Sequence, residues 1–278
     1  MKLWLNGELA DERASGISPA DHGFLLGDGV FETLRCYEGK LFALEAHLER
    51  LEAGAIALGL QPPPLEELGR AAREVIEANG LTDARMRITL TSGPGPPGLA
   101  RGDGPPTTVV AALPLEPWPS TATAVVSRWR RDETSPLAGV KTISLVENVM
   151  ALSEARASGA GEALLLNGHG HLCEATTANV FCVSGDQVST PALSSGCLAG
   201  ITRDHVLRLC AELGIEAIEA ELPAEVLHRI EEAFLTSSTR EIQPLVAIDG
   251  RPIGDGEPGP LTSRLAEAYS ERVRLTAG

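Results

Sequence analysis

The sequence predicts an α/β protein of two domains, and three observations carry that prediction. Stretches with the period-2 alternation of strands are interleaved, in both halves of the chain, with stretches of helical three-and-four spacing. A proline-rich segment at 114–120, holding Pro114, Pro117 and Pro119, interrupts the pattern and divides residues 1–116 from 117–278. The length of 278 residues is about twice the roughly 150 of an ordinary domain.

The elements follow in order. Residues 2–6 alternate and end in Asn6-Gly7, a short strand running into a tight turn. Residues 30–37 are β-rich, Glu38-Gly39 makes a turn, and 41–43 resume the apolar pattern, which gives a hairpin. Leu44, Leu48, Leu51, Ala55 and Leu58 then recur at alternating steps of four and three up to Gly59, and a second helix covers 65–79, stopped by Gly80. Residues 85–91 return to alternation. Five glycines and five prolines among the fourteen residues 93–106 make an exposed loop, and 107–113 form another strand. In the second half, strands are expected at 122–126, 163–166, 180–183, 217–219 and 233–236. Helices are expected at 145–158, 201–213 and 261–275.

Composition narrows the function. With 43% apolar and 22% charged residues the chain is an ordinary globular one, and a net charge of −15 repels phosphate backbones and anionic lipid, so neither nucleic acid nor membranes are expected partners. No apolar run approaches the ~20 residues that span a bilayer, and nothing near the N-terminus resembles a signal peptide; a cytoplasmic location is expected. Cys36, Cys173, Cys182, Cys197 and Cys210 are scattered without CxxC spacing and read as reduced core thiols.

Two motifs dissolve on inspection. Gly93, Gly95 and Gly98 spell GxGxxG, but Pro94, Pro96 and Pro97 remove the backbone donors a pyrophosphate needs. His169 and His171 flank Gly170 directly after Asn167-Gly168, which marks a hairpin tip, and no metal site is expected.

A third constellation holds together. Lysine chemistry has only Lys2, Lys40 and Lys141 to draw on, and Lys141 ends an apolar approach, Leu137-Ala138-Gly139-Val140, that would desolvate an ammonium group. Glu174-Ala-Thr-Thr-Ala-Asn179-Val180-Phe181 places a carboxylate in a small polar turn before a buried strand. Gly200-Ile201-Thr202 opens a helix whose free N–H groups favour a phosphate, and Thr236-Ser237-Ser238-Thr239 sets four hydroxyls in a row after a strand. An amine, an acid and phosphate donors are together what pyridoxal phosphate requires.

The order and spacing of these motifs make the chain resemble the class IV aminotransferases. These are the fold type IV pyridoxal phosphate enzymes that include branched-chain and D-amino acid aminotransferases and aminodeoxychorismate lyase. The likeness also rests on Asp21-His22-Gly23-Phe24-Leu25-Leu26-Gly27-Asp28-Gly29-Val30-Phe31-Glu32-Thr33-Leu34-Arg35, on His47-Leu48-Glu49-Arg50-Leu51, and on Phe234 through Ile242. It implies a small N-terminal and a larger C-terminal α/β domain with pyridoxal 5′-phosphate between them, and a homodimer in which the loop around Leu26 crosses the interface. It further implies that Lys141 forms the Schiff base and shuttles a proton, that Glu174 pairs with the pyridine nitrogen, and that Arg50, Ile201, Thr202 and Ser238 hold the phosphate. Asn179, Thr236 and Ser237 join the cofactor set. Lys2 is terminal and Lys40 sits in a hairpin turn, which leaves Lys141 for the amine.

The substrate side departs from familiar patterns. The tyrosine of D-amino acid enzymes corresponds to Phe31, and their Arg-x-His trap falls near Ser92, Gly93 and Pro94. Branched-chain enzymes carry a tyrosine where Leu26 stands and Gly-Ile-Arg where this chain has Thr33-Leu34-Arg35. The stretch from Phe31 to Gly39 looks most like sequences labelled aminodeoxychorismate lyase. The expected reaction is transamination from a D-amino acid or (R)-amine, with a branched-chain L-amino acid as the lesser option, to a 2-oxo acid whose carboxylate meets Arg87 or Arg35. The alternative is the lyase, which releases pyruvate and 4-aminobenzoate.

Overall fold

Asn6 and Gly7, both at positive φ (49° and 104°), turn β1 (Lys2–Leu5) back into β2 (Glu8–Asp11) in a computed structural model that describes residues 1–277. The short helix α1 (His22–Leu26) follows, capped by the Asp21 carboxylate, which accepts from Gly23 N at 2.8 Å. Then come β3 (Gly29–Tyr37), β4 (Lys40–Leu41), α2 (Leu44–Ala57), α3 (Leu65–Ala78), β5 (Ala84–Thr91) and β6 (Thr107–Pro114). They form a six-stranded antiparallel sheet in the order β2-β1-β6-β5-β3-β4.

Alternation decides which face of that sheet is dry. Val30, Leu34 and Cys36 of β3 and Met86, Ile88 and Leu90 of β5 face the core, where Leu48 and Leu51 of α2 and Leu68 and Val75 of α3 complete the packing. Each such buried side chain contributes about 1.5–3 kcal/mol relative to exposure. The opposite face of β3 and β5 carries Phe31, Thr33, Arg35, Arg85, Arg87 and Thr89, paired in register as Phe31↔Thr89, Thr33↔Arg87 and Arg35↔Arg85.

The chain divides into two units, the first holding Met1–Glu116 and Val140–Ser144, the second Pro117–Gly139 and Leu145–Leu275. Residues 140–144 therefore belong with the first unit, against the expectation that everything from 117 onward would form one domain. The cause is local pairing: Phe31 N donates to Lys141 O and Ile143 N to Gly29 O, both at 3.0 Å, and Val140 packs on the first core.

The second unit contains β7 (Ala122–Arg131), α4 (Val146–Ala157), β8 (Glu162–Asn167), β9 (Leu172–Ala175), β10 (Asn179–Ser184), β11 (Gln187–Pro191), α5 (Ile201–Leu213), β12 (Glu216–Ala220), β13 (Glu232–Ser237), β14 (Glu241–Ile248), β15 (Arg251–Pro252) and α6 (Pro260–Ala277). Eight of its strands lie in the order β12-β11-β10-β13-β14-β7-β8-β9, with β15 beside β14, and the β11–β12, β14–β7 and β7–β8 pairs are parallel. Strands β9, β11, β14 and β15 were not foreseen. Glu174 accordingly sits on β9 and not in a turn; the bend comes after it, at 176–178.

All five cysteines are free and buried, and burial pushes the Cys182 thiol up to about 12. Among the described residues no helix is long and apolar enough to cross a membrane.

Candidate active site

In the first unit a carboxylate stands where the strand pattern calls for an apolar side chain. Glu32 lies between Val30 and Leu34 on the core-facing side of β3 and is fully buried. Helix α2 supplies its partners from positions 47 and 50, which share one helical face. His47 Nδ1 lies 2.7 Å from Glu32 Oε2, and Arg50 makes a two-pronged contact, Nε to Oε1 and Nη2 to Oε2, each 2.7 Å. Burial alone would raise the Glu32 pKa, but Arg50 and His47 outweigh it and hold the carboxyl at about 2. Burial pulls the His47 pKa down against the pull of Glu32, so its ring is neutral at neutral pH.

Lys141 is half-buried beside this cluster. Its Nζ stands 4.6 Å from the centroid of the Phe31 ring, and the Arg87 guanidinium stands 3.8 Å from the same ring. Arg87 Nε also donates to Thr89 Oγ1 at 3.0 Å. Burial, assisted by Arg85, lowers the Arg87 pKa to about 10, which leaves it charged at neutral pH.

The second unit builds its part mostly from backbone. Glu174 Oε2 accepts from Leu198 N at 3.0 Å, and Leu198 O accepts from Asn179 Nδ2 at 2.8 Å. Two residues on, Gly200 starts α5 with no side-chain cap, so the N–H groups of its first turn, beginning with Ile201 and Thr202, have no acceptor within the helix. Thr236 lies opposite Asn179 in the β10–β13 register, and its buried hydroxyl has no partner among the described residues. Ser237 and Ser238 beside it are half-buried. On the other side of Glu174, Arg131 Nη2 donates to Oε1 at 3.1 Å. An uncapped helix start, an orphaned hydroxyl and a carboxylate next to a guanidinium form a donor set that fits a phosphate ester and a protonated ring nitrogen.

A family model described as Amino-transferase class IV matches residues 29–248, most of the chain. This chain belongs to the class IV aminotransferases. It is 37% identical over 278 residues to a Methanocaldococcus jannaschii protein provisionally named branched-chain-amino-acid aminotransferase, covering 98% of this chain and 96% of that one. It is 32% identical over 282 residues to the D-alanine aminotransferase of Bacillus licheniformis, covering 98% and 97%. The solved T.th. branched-chain amino acid aminotransferase, complexed with N-(5′-phosphopyridoxyl)-L-glutamate, superposes with a TM-score of 0.91 at 32% identity over 97% of this chain and 93% of that one. Class IV aminotransferases use pyridoxal 5′-phosphate, and this chain is a pyridoxal-phosphate-dependent transaminase acting on an amino donor and a 2-oxo acid.

Within this aminotransferase the expected residues fall into two gatherings. Lys141, Phe31 and Arg87 meet in the first unit; in the second, Glu174 and Asn179 are linked through Leu198, shortly before Ile201 and Thr202 at the start of α5. Arg50 turns its Nε and Nη2 onto Glu32. Arg35 is spent on Asp83, with Nε to Oδ1 and Nη2 to Oδ2 at 3.2 Å, and lies over the Tyr37 ring. Thr33 is half-buried opposite Arg87, and Leu26 is exposed on α1 with Phe24 and Leu25. His169 pairs with Glu133 at 3.2 Å in the β8–β9 turn. Sequence reasoning missed Glu32, His47 and Arg131 as site residues. For Glu32 the signal was present, an acid in the apolar phase of a strand; for Arg131 there was none.

Proposed function

We propose that this transaminase uses a 2-oxo acid of the 2-oxoglutarate class as acceptor and an aliphatic amino acid as donor, with Arg87 receiving a substrate carboxylate. The observation that carries this is the Arg87 guanidinium, stacked on the ring that Lys141 also faces and paired with no carboxylate among the described residues. A half-buried cation in that condition is a receptor for an anion. Arg35, already neutralised by Asp83, is not.

When bound, pyridoxal phosphate supplies an aldehyde for amine exchange and a ring that takes up electron density. Lys141 Nζ is the amine that holds it and carries the proton to and from the substrate carbon. Glu174, with Arg131 beside it, presents a carboxylate to the ring nitrogen. The first-turn N–H groups of Ile201 and Thr202 and the hydroxyls of Thr236, Ser237 and Ser238 take the phosphate, while Arg50 adds positive charge. Phe31 offers an apolar ring without a hydroxyl, which suits an aliphatic side chain. Both a D-amino acid donor, favoured by the sequence, and a branched-chain L-amino acid are compatible with that surface, and the relatives include enzymes named for each.

The test supplies D-alanine, L-leucine or an (R)-amine with 2-oxoglutarate and follows glutamate formation. Wild-type turnover with one donor is expected, and Arg87→Met lowers kcat/KM for 2-oxoglutarate by about 10- to 100-fold, the weight of a lost charged hydrogen bond. Unchanged turnover in Arg87→Met rejects the acceptor assignment. Release of 4-aminobenzoate from aminodeoxychorismate without transamination would replace it with elimination.

A further inference from the structure

Away from Glu174, a buried ion pair in the second unit has no part in the roles assigned so far. Glu162 at the start of β8 and Arg240 after β13 are almost wholly buried, with Arg240 Nη2 2.9 Å from Glu162 Oε2. The same Nη2 donates to Thr177 Oγ1 at 2.6 Å, Thr177 Oγ1 donates to Glu162 Oε2 at 2.6 Å, and the Thr176 hydroxyl donates to Glu162 Oε1. Trp118 stacks on the guanidinium at 4.4 Å, and Nη1 donates to Gln243 Oε1 at 3.1 Å.

Two turns meet at this pair. Thr176 and Thr177 form the bend directly after Glu174 and Ala175; Ser238, Thr239 and Arg240 form the three-residue loop of the β13–β14 hairpin, closed by the Ser237↔Glu241 pair. Directly after that loop Glu241 sits at φ 58°, the left-handed position where hairpins of this kind use glycine. The connection also continues towards Glu174: Asn148 Nδ2 donates to Thr176 O at 2.7 Å, while Arg131 Nη2 donates to both Asn148 Oδ1 and Glu174 Oε1 at 3.1 Å. Stability alone does not call for such a pair, since apolar groups of equal volume serve a core as well or better.

We propose that Arg240 is a positioning residue for the cofactor: through Glu162 it locks the bend after Glu174 to the turn that presents Ser237 and Ser238, setting the ring-nitrogen acid and the phosphate hydroxyls in one fixed frame. This rests on the reading that those residues hold pyridoxal phosphate.

The experiment titrates pyridoxal phosphate into the full-length protein stripped of cofactor, following the visible band. It compares wild type, the charge-neutral double variant Glu162→Gln/Arg240→Met, and Arg240→Lys, with thermal unfolding of each. The double variant, which leaves no buried charge unpaired, is expected to unfold within a few degrees of wild type, yet to need at least tenfold more pyridoxal phosphate for half-saturation and to show a shifted pH midpoint of the band. Arg240→Lys keeps the charge but loses the fork, and is expected to weaken binding three- to tenfold. Half-saturation and band unchanged within twofold in a folded double variant overturn the proposal; if the double variant does not fold, the same result in Arg240→Lys overturns it. A wild-type protein that takes up no pyridoxal phosphate overturns the reading beneath the proposal and the proposal with it.

Discussion

In the first unit the site residues are fixed by charged side chains: Arg50 and His47 grip a buried Glu32, and the Lys141 Nζ and the Arg87 guanidinium lie over one aromatic ring. In the second unit the residues assigned to the cofactor are fixed largely by backbone geometry, through Leu198, the uncapped start of α5 and the register between β10 and β13, with paired charges such as Arg131 on Glu174 only bracing that frame. The contrast follows from what each half must do. A residue that moves protons and grips carboxylates needs ionisable groups tuned by neighbours. A cradle for a phosphate needs N–H groups that carry no net charge and do not titrate. The first arrangement should therefore be sensitive to single charges and to pH, and the second to shape.

Removing the amine breaks the comparison most strongly. Lys141→Ala is expected to lower kcat by a factor on the order of 10⁴ to 10⁶, as loss of a group bonded to the reacting centre does. Borohydride reduction of the wild-type holoenzyme should fix the cofactor to the peptide containing Lys141, read by mass spectrometry. A label on Lys2 or Lys40, or a Lys141→Ala protein with near-normal turnover, would remove the first unit's role altogether.

Most of what the sequence made legible was local and periodic. The Asn6-Gly7 turn, the helices beginning at Leu44, Leu65 and Ile201, and the strands Gly29–Tyr37 and Ala84–Thr91 all arise from spacing and turn chemistry within a short window. The strands that escaped, Gln187–Pro191 and Glu241–Ile248 among them, mix polar and apolar residues and are held by neighbours distant in sequence. The same distinction runs through the site. Lys141 and Glu174 could be proposed from sequence because three lysines and one ordered set of motifs narrowed the choice. The partnership of Arg131 with Glu174 spans 43 residues and leaves no trace in spacing. Arg35 misled for the mirror-image reason: its place on the strand pattern is right, and only the fold reveals Asp83 beside it.

Acid should separate the two arrangements. Glu32 has a folded pKa of about 2 against 4.5 for a free glutamate, so the unfolded chain takes up its proton first and stability is lost as pH falls from 4.5 towards 2. His47, neutral in the fold with a pKa below 6.5, acts in the same direction from pH 6.5 downward, because only the unfolded chain gains that proton. Glu32 alone contributes on the order of 3 kcal/mol at pH 7. In guanidinium unfolding, Glu32→Gln should therefore be less stable than wild type by about that amount at pH 7, with the gap falling to less than half by pH 3. A gap that stays constant with pH would show that the carboxylate's charge is not what holds this cluster.

The smallest expected effect tests shape in the second unit. Gly200 has φ −70°, a conformation open to any residue, so a substitution there is judged by contact alone. A Cβ at that position would stand 2.0 Å from Asn179 Oδ1, which forces the carboxamide away from Leu198 O and loosens the link to Glu174. Gly200→Ala is expected to cost about 1–3 kcal/mol, the usual range for overpacking, and to lower the unfolding temperature by about 3–10 °C. Because no titrating group is added or removed, the loss should be the same at pH 7 and pH 3, unlike that of Glu32→Gln. If the alanine variant unfolded at the wild-type temperature and took up pyridoxal phosphate equally well, the close seat of Asn179 under the helix start would carry no weight. If its deficit instead grew or shrank with pH, the contact at Gly200 would be acting through a titrating group and not through shape.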